Sequence, residues 1–212
     1  MDAVEKMPVR LKVASIIRNA ILSGEFADGQ ALSLTDTAAR LNVSRTPVRE
    51  AFQLLESEGL IELRMNREAV VHTIDDTFVR EHFDMRMLLE DEAIFRATTN
   101  QMDLQPLIKL QESVSNADPA DISRMYDAYN HDFHHAIWEG ARNRKLYGFL
   151  DSLWNGPSYS RTSGSIVNHD LSIQEHGEML DAMKKGDAEA AKSVMHQHIL
   201  RSMEIILASY GK

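Results

Sequence analysis

Cysteine is missing altogether from this chain of 212 residues. Its absence excludes a disulfide framework and any thiolate metal site, and agrees with a reducing compartment. No apolar run approaches the ~18 residues of a membrane span, and the first residues lack the zones of a secretion signal. The expected location is therefore cytoplasmic, with no membrane partner. Internal repeats and low-complexity stretches are also lacking. Positive charge is scarce: 23 basic residues against 32 acidic ones leave a net charge of −9. The deficit is uneven, since residues 1–75 hold 9 basic and 11 acidic residues and residues 76–212 hold 14 and 21. A chain of this length accommodates one small module and one domain with a substantial core.

What is present centres on Ser44-Arg45-Thr46-Pro47-Val48-Arg49-Glu50-Ala51. Ser44 is a good N-cap and Pro47 is tolerated so early in a helix, so the sequence predicts a helix from Arg45. Val48, Ala51, Phe52 and Leu55 form its apolar stripe, while Arg45 and Arg49 project four residues apart from a polar face. Arginine's planar fork suits phosphate oxygens and the O6/N7 edge of guanine, and Thr46 adds a short hydroxyl. A shorter amphipathic helix is expected from Leu34 to Leu41, with Thr35 as N-cap and Ala38, Ala39 and Leu41 inward. Asn42-Val43 then makes the turn of a helix-turn-helix, whose second helix enters the major groove. Gly59 supplies a stop, and Leu60–Arg64 and Ala69–Thr73 read as two wing strands. Ahead of these, Val9 to Leu22 is a helix with Val13, Ile16, Ile17, Ala20 and Ile21 inward, ending at Gly24.

Ile21-Leu22-Ser23-Gly24, Asp28-Gly29, Leu32, Ala39, Leu41, SRTPVREA, Leu54-Leu55 and Glu58-Gly59-Leu60-Ile61 together resemble the GntR family of bacterial winged-helix repressors. The resemblance implies a homodimer on double-stranded operator DNA, with Thr35, Ser44, Arg45, Thr46 and Arg49 facing the duplex. It departs at the wing, where Glu68 stands in place of the usual tip glycine. A carboxylate repels phosphate, which leaves Asn66 and Arg67 as the tip. The acidic remainder of the chain would repel DNA everywhere except at the presented helix, lowering non-specific affinity.

Beyond residue 76 helical periods take over. Helices are expected at Phe78–Thr98, Leu104–Asn116, Ile122–Gly140, Lys145–Trp154, Asp170–Lys185 and Ala188–Ser209. The fold class is thus mainly α: a winged helix-turn-helix over residues 1–75 and an all-α bundle over residues 76–212. Facing helices of such a bundle converge on a central pocket, with the Gly/Ser/Asn-rich stretch Asn155–Asn168 as a candidate lid. Nine histidines invite a metal reading. Positions 130 and 134 share the face marked by Phe133, Ile137 and Ala141, and His198 lies among Val194, Met195, Ile199 and Met203. His131, His135, His169 and His196 read as ordinary surface or core residues.

Arg86-Met87-Leu88-Leu89-Glu90, Asn130-x-x-Phe133-His134-x-x-Ile137, Asn143-x-x-Leu146, Glu175-His176-x-x-Met179-Leu180 and His198-Ile199 resemble the FCD effector domain of the FadR subfamily. That resemblance implies a divalent metal held by Asn130, His134, His176 and His198, with Asn130 standing where many relatives have Asp. Three imidazoles and an amide oxygen suit zinc or nickel and leave room for a carboxylate. Arg86 is then the partner of a small carboxylate effector. From spacing alone it is equally the partner of Glu90 one turn on. Two other readings use the same cluster: a purely structural metal site, and a metal-dependent hydrolase, for which no positioned general base stands out. The reading as a whole is a ligand-responsive regulator, a repressor rather than an enzyme.

Overall fold

The computed structural model describes residues 8–65, 68–72, 75–154 and 169–210. The chain divides into two compact units, residues 1–78 and 79–212. In the first, α1 (Val9–Leu22), α2 (Leu34–Arg40) and α3 (Arg45–Ser57) pack with three short strands, β1 (Ala31–Ser33), β2 (Ile61–Leu63) and β3 (Glu68–Val71). The sheet order is β1-β3-β2, all antiparallel, with Leu32 opposite Ala69 and Ile61 opposite Val71. Val13, Ile17, Leu22, Val48, Phe52, Leu55, Leu60 and Ile61 lie in its core.

Several details differ from the sequence reading. Strand β1 was not anticipated: three residues carry little periodicity, and their partner lies far along the chain. Ser33, not Thr35, caps α2, its hydroxyl accepting from the Asp36 N–H at 3.3 Å. Ser44 stands at the N-cap of α3 but makes no side-chain cap bond. Ile16 is exposed and Ala14 takes its place inward, and Ala39 is exposed as well. Gly59 has φ 74°, the left-handed conformation that lets α3 stop and β2 begin, and a Cβ there would come within 3.2 Å of Phe78.

The second unit is built from α4 (Asp76–Thr99), whose first residues belong to the first unit, and from α5 (Gln105–Ser115), α6 (Pro119–Gly140), α7 (Arg144–Trp154), α8 (His169–Lys184) and α9 (Ala188–Tyr210). Helix α8 packs on α9, α5 on α6 and α8, and α6 on α7. Phe83, Ile94, Phe133, Ile137, Trp138, Leu150, Met179 and Met195 fill the interior. The stretch expected as a lid, Asn155–Asn168, lies outside the described residues.

Candidate functional site

Helix α3 buries Val48, Ala51, Phe52 and Leu55 against α1 and β2. The helical period then turns Ser44, Arg45, Thr46 and Arg49 to the exterior, where all four are exposed. Thr35, in the first turn of α2, is exposed too. A bidentate pair not foreseen from sequence holds this arrangement: Arg18 of α1 donates from Nε and Nη2 to the two carboxylate oxygens of Glu58 at 2.7 and 2.6 Å. It ties the first helix to the C-terminal end of α3. Glu68 is not a tip residue but the first residue of β3, opposite Ser33. Asn66 and Arg67 lie outside the described residues.

Within the helical unit, His134 of α6, His176 of α8 and His198 of α9 are buried, and a ring nitrogen of each lies within 4.8 Å of those of the others. Each ring is anchored through Nδ1. His134 meets Glu90 Oε2 at 3.2 Å, His198 meets Glu175 Oε2 at 2.6 Å, and His176 meets the Tyr129 hydroxyl at 2.8 Å. An ionised carboxylate only accepts, so Nδ1 of His134 and of His198 carries the hydrogen. For His176 the assignment runs through a longer chain. Gln111 of α5 donates its amide to the Ile173 carbonyl at 2.9 Å, which turns its oxygen toward Tyr129. Tyr129 donates to that oxygen and therefore accepts from His176. In all three rings Nε2 is left with its lone pair, and in His134 and His176 that nitrogen is buried without a hydrogen-bond partner.

Electrostatics favours the same protonation. Burial, then the neighbouring rings, pushes His176 well below its ordinary value, and burial lowers His198 to about 4 against the opposing pull of Glu175. Burial would raise Glu90, but the charge and hydrogen bond of His134, then Arg86 and Trp138, outweigh it and hold the carboxyl at about 2. Glu175 is likewise held at about 2, burial being outweighed by His198 and Arg201. Burial holds His176 and His198 toward the neutral form, and all three rings have Nδ1 backed by a hydrogen-bond partner, the arrangement a divalent ion requires, so these residues fit one.

Asn130 is half-buried one turn before His134, its carbonyl oxygen 3.4 Å from the Tyr126 hydroxyl that donates to it. Arg86 forms the intrahelical pair, donating to Glu90 Oε1 at 3.0 Å, and its guanidinium also lies 5.2 Å from the Trp154 ring. Glu90 thus gathers Arg86, His134 and the Trp138 N–H, the last at 2.7 Å. The Arg86–Glu90 pair was one of the two readings the sequence offered, but the link from Glu90 to His134 and Trp138 was not foreseen, and Glu175, Tyr129 and Gln111 escaped the reading apart from the placement of Glu175 beside His176. His131 and His135 stack at the edge of α6, 3.9 Å between ring centres, and His131 is exposed. His169 stacks on Tyr126, and His196 pairs with Asp91 at 3.0 Å.

Comparison with known proteins agrees with this arrangement. Residues 9–71 match the family described as bacterial regulatory proteins, gntR family, and residues 81–201 match the FCD domain. The chain is 25% identical over 206 residues to the HTH-type transcriptional repressor RspR of Escherichia coli, covering 94% of this chain and 89% of that one. It is 31% identical over 154 residues to the gluconate operon transcriptional repressor of Bacillus subtilis, covering 72% of this chain and 61% of that one. Among solved structures, E. coli McbR/YncC shares the fold with a TM-score of 0.70 at 22% identity, over 97% of this chain and 100% of that one. No described helix is long and apolar enough to cross a membrane. With a winged helix of one known kind joined to a helical domain of another, the chain belongs to the FCD-domain regulators of the GntR family and is a transcriptional regulator, not an enzyme.

Proposed function

We propose that this regulator is a cytoplasmic, homodimeric repressor whose hold on operator DNA responds to a small carboxylate effector at a metal site in the helical domain. The observation that carries the reading is the convergence of His134, His176 and His198, each with Nδ1 anchored and two with an unpartnered Nε2. These three would hold zinc or nickel, with Asn130 one turn from His134 as an oxygen donor. When bound, the ion supplies a Lewis-acid centre that takes a carboxylate oxygen. Arg86 is the cation beside it; Glu90 fixes one of its five donors and leaves the fork in the same buried corner as Trp154. A ligand shared between Arg86 of α4 and the histidine helices adds to the links that Glu90 and Asp91 already make from α4 to α6 and α9, and can bias the DNA-binding unit by its differential affinity, typically ~1–3 kcal/mol.

On DNA, Thr35, Ser44, Arg45, Thr46 and Arg49 supply the contacts, and Asn66 and Arg67 the wing. One winged helix reads few base pairs, so two copies bind half-sites about one helical turn apart. The test has two parts. Metal-free protein titrated with zinc should bind one ion per chain with loss of affinity in His134→Ala and His198→Ala; no binding overturns the metal reading. Light scattering with an operator duplex selected from a random pool should give two chains per site; one chain per site overturns the dimer. A metal site whose occupancy leaves acid binding unchanged would favour the purely structural role.

A further inference from the structure

His131 and His135 read as ordinary residues in the sequence, and the function proposed above gives them no role. They belong to the row Asp127, His131, His135 and Glu139, which four-residue spacing keeps on one side of α6. Their rings stack with centres 3.9 Å apart. A histidine pair one helical turn apart is a recurring zinc chelate, because a single ion can reach a nitrogen of each ring. Hydrogen bonds decide which nitrogens are available. Nδ1 of His131 lies 3.0 Å from Asp132 Oδ1, and an ionised carboxylate only accepts, so Nδ1 carries the hydrogen and Nε2 the lone pair. Nδ1 of His135 lies 3.0 Å from the Tyr147 hydroxyl, which can accept from it. Nε2 of His135 is buried with no hydrogen-bond partner.

A third donor comes from α7. Asp151 Oδ1 stands 3.9 Å from Nε2 of His135, too far for a hydrogen bond. Two ligands of one tetrahedral zinc, each bonded at ~2.0–2.2 Å, stand roughly 3.4 Å apart. The gap therefore suits an ion between them, and Asp151, 55% exposed, is free to rotate through the small remainder. Asp127 and Glu139, one turn to either side of the pair, add negative charge along the same row. We infer that His131, His135 and Asp151 form a second, outer site for a borderline divalent ion such as zinc, separate from His134, His176 and His198. It is the weaker of the two, since the His131 side chain is 48% exposed and that of His134 only 1%, so water competes for it. An ion there ties α7 to α6 beside Trp154, whose ring lies 5.2 Å from both the Arg86 guanidinium and the His134 ring. One wall of the inner site is thereby stiffened.

The experiment is a calorimetric titration of metal-free, full-length protein with zinc, carried well past the one tight ion per chain expected above, in wild type, His131→Ala and Asp151→Asn. Wild type should take up a second, weaker ion after the first. His131→Ala, at an exposed position where the fold is not at stake, should lose the second step and keep the first. Asp151→Asn keeps an oxygen but removes its charge, and should weaken the second step alone. Uptake that stops at one ion and is untouched by His131→Ala overturns the inference. A second step that either variant leaves unchanged does the same, and in both cases the inner metal reading survives. A single ion that is lost in His131→Ala would instead support the outer site and remove the inner one.

Discussion

Among the described residues, everything buried in the first unit is apolar, from Val13 to Val71, whereas the second unit buries His82, Arg86, Glu90, Thr98, His134, Ser172, His176 and His198. The difference separates two ways of placing chemistry. The winged helix keeps an ordinary hydrophobic core and carries charged side chains outside, among them Arg45 and Arg49, the proposed DNA contacts. The helical domain turns its polar residues inward, and each must be compensated there or it destabilises the fold. Compensation is provided by a few hubs: Glu90 for Arg86, His134 and Trp138, and Glu175 for His198 and Arg201.

The sharpest way to break that contrast is Glu90→Ala. It leaves the Arg86 cation and the Trp138 N–H buried without their acceptor, and breaking a buried pair from one side costs about 3–5 kcal/mol. Chemical denaturation followed by tryptophan fluorescence reads it directly, since both tryptophans, Trp138 and Trp154, lie in the helical unit. A loss below about 1 kcal/mol would mean that the hub carries no more than a surface pair does.

Acid comes next. His82 is lowered from 6.5 to about 3 by burial and then by Arg86, with His176 and His198 lowered as well. Below pH 6.5 the unfolded chain binds protons that the folded chain refuses, so stability is intact above that pH and falls as pH drops toward 3. The slope is about 1.4 kcal/mol per pH unit for each such ring. Glu90 and Glu175, held at about 2, add losses of the same sign below 4.5, while Asp91, raised by burial, opposes them in the carboxylate range. Metal-free protein should therefore lose its tryptophan signal in acid before the circular dichroism of the winged helix is lost. Simultaneous loss of both would contradict the contrast.

Two milder changes sharpen it. Glu175→Gln removes the negative charge behind His198 and Arg201 and should lower zinc affinity about 10- to 100-fold with operator binding by the zinc-saturated protein unchanged. Arg49→Ala should do the reverse. It costs about 1–3 kcal/mol of operator affinity in a filter-binding assay at moderate salt, with no change in melting temperature; unchanged affinity would remove α3 from the groove. Smallest is Gly59→Ala, at about 1 kcal/mol in thermal melts, because φ 74° and the 3.2 Å approach of Phe78 leave little room for a Cβ.

Much of this was legible in the chain. Helix α1 and the start of α3 fall where capping and periodicity place them, and the helices of the second unit begin within three residues of expectation. Local rules suffice there because each helix announces its own apolar period and its own stop. Strand β1 was not legible, since a three-residue strand exists only through its pairing with β3. At the histidine cluster, the faces of α6 and α9 together with the family resemblance pointed to His134, His176 and His198. The hydrogen-bonding shell behind them was beyond reach. Glu90 read only as the intrahelical partner of Arg86, because spacing along a helix carries no information about burial or about partners on other helices.

Residue pattern by itself determined the winged helix, the helical domain and the outward face of α3, because these follow from periods of a few residues. Tertiary structure alone decided which polar side chains would be buried and which nitrogen of each ring would stay bare. Those properties depend on partners brought from other helices, as Tyr129 and Gln111 are to His176, Glu90 to His134 and Glu175 to His198. A lone pair becomes a binding group only when its neighbours have claimed every other hydrogen bond and water has been shut out.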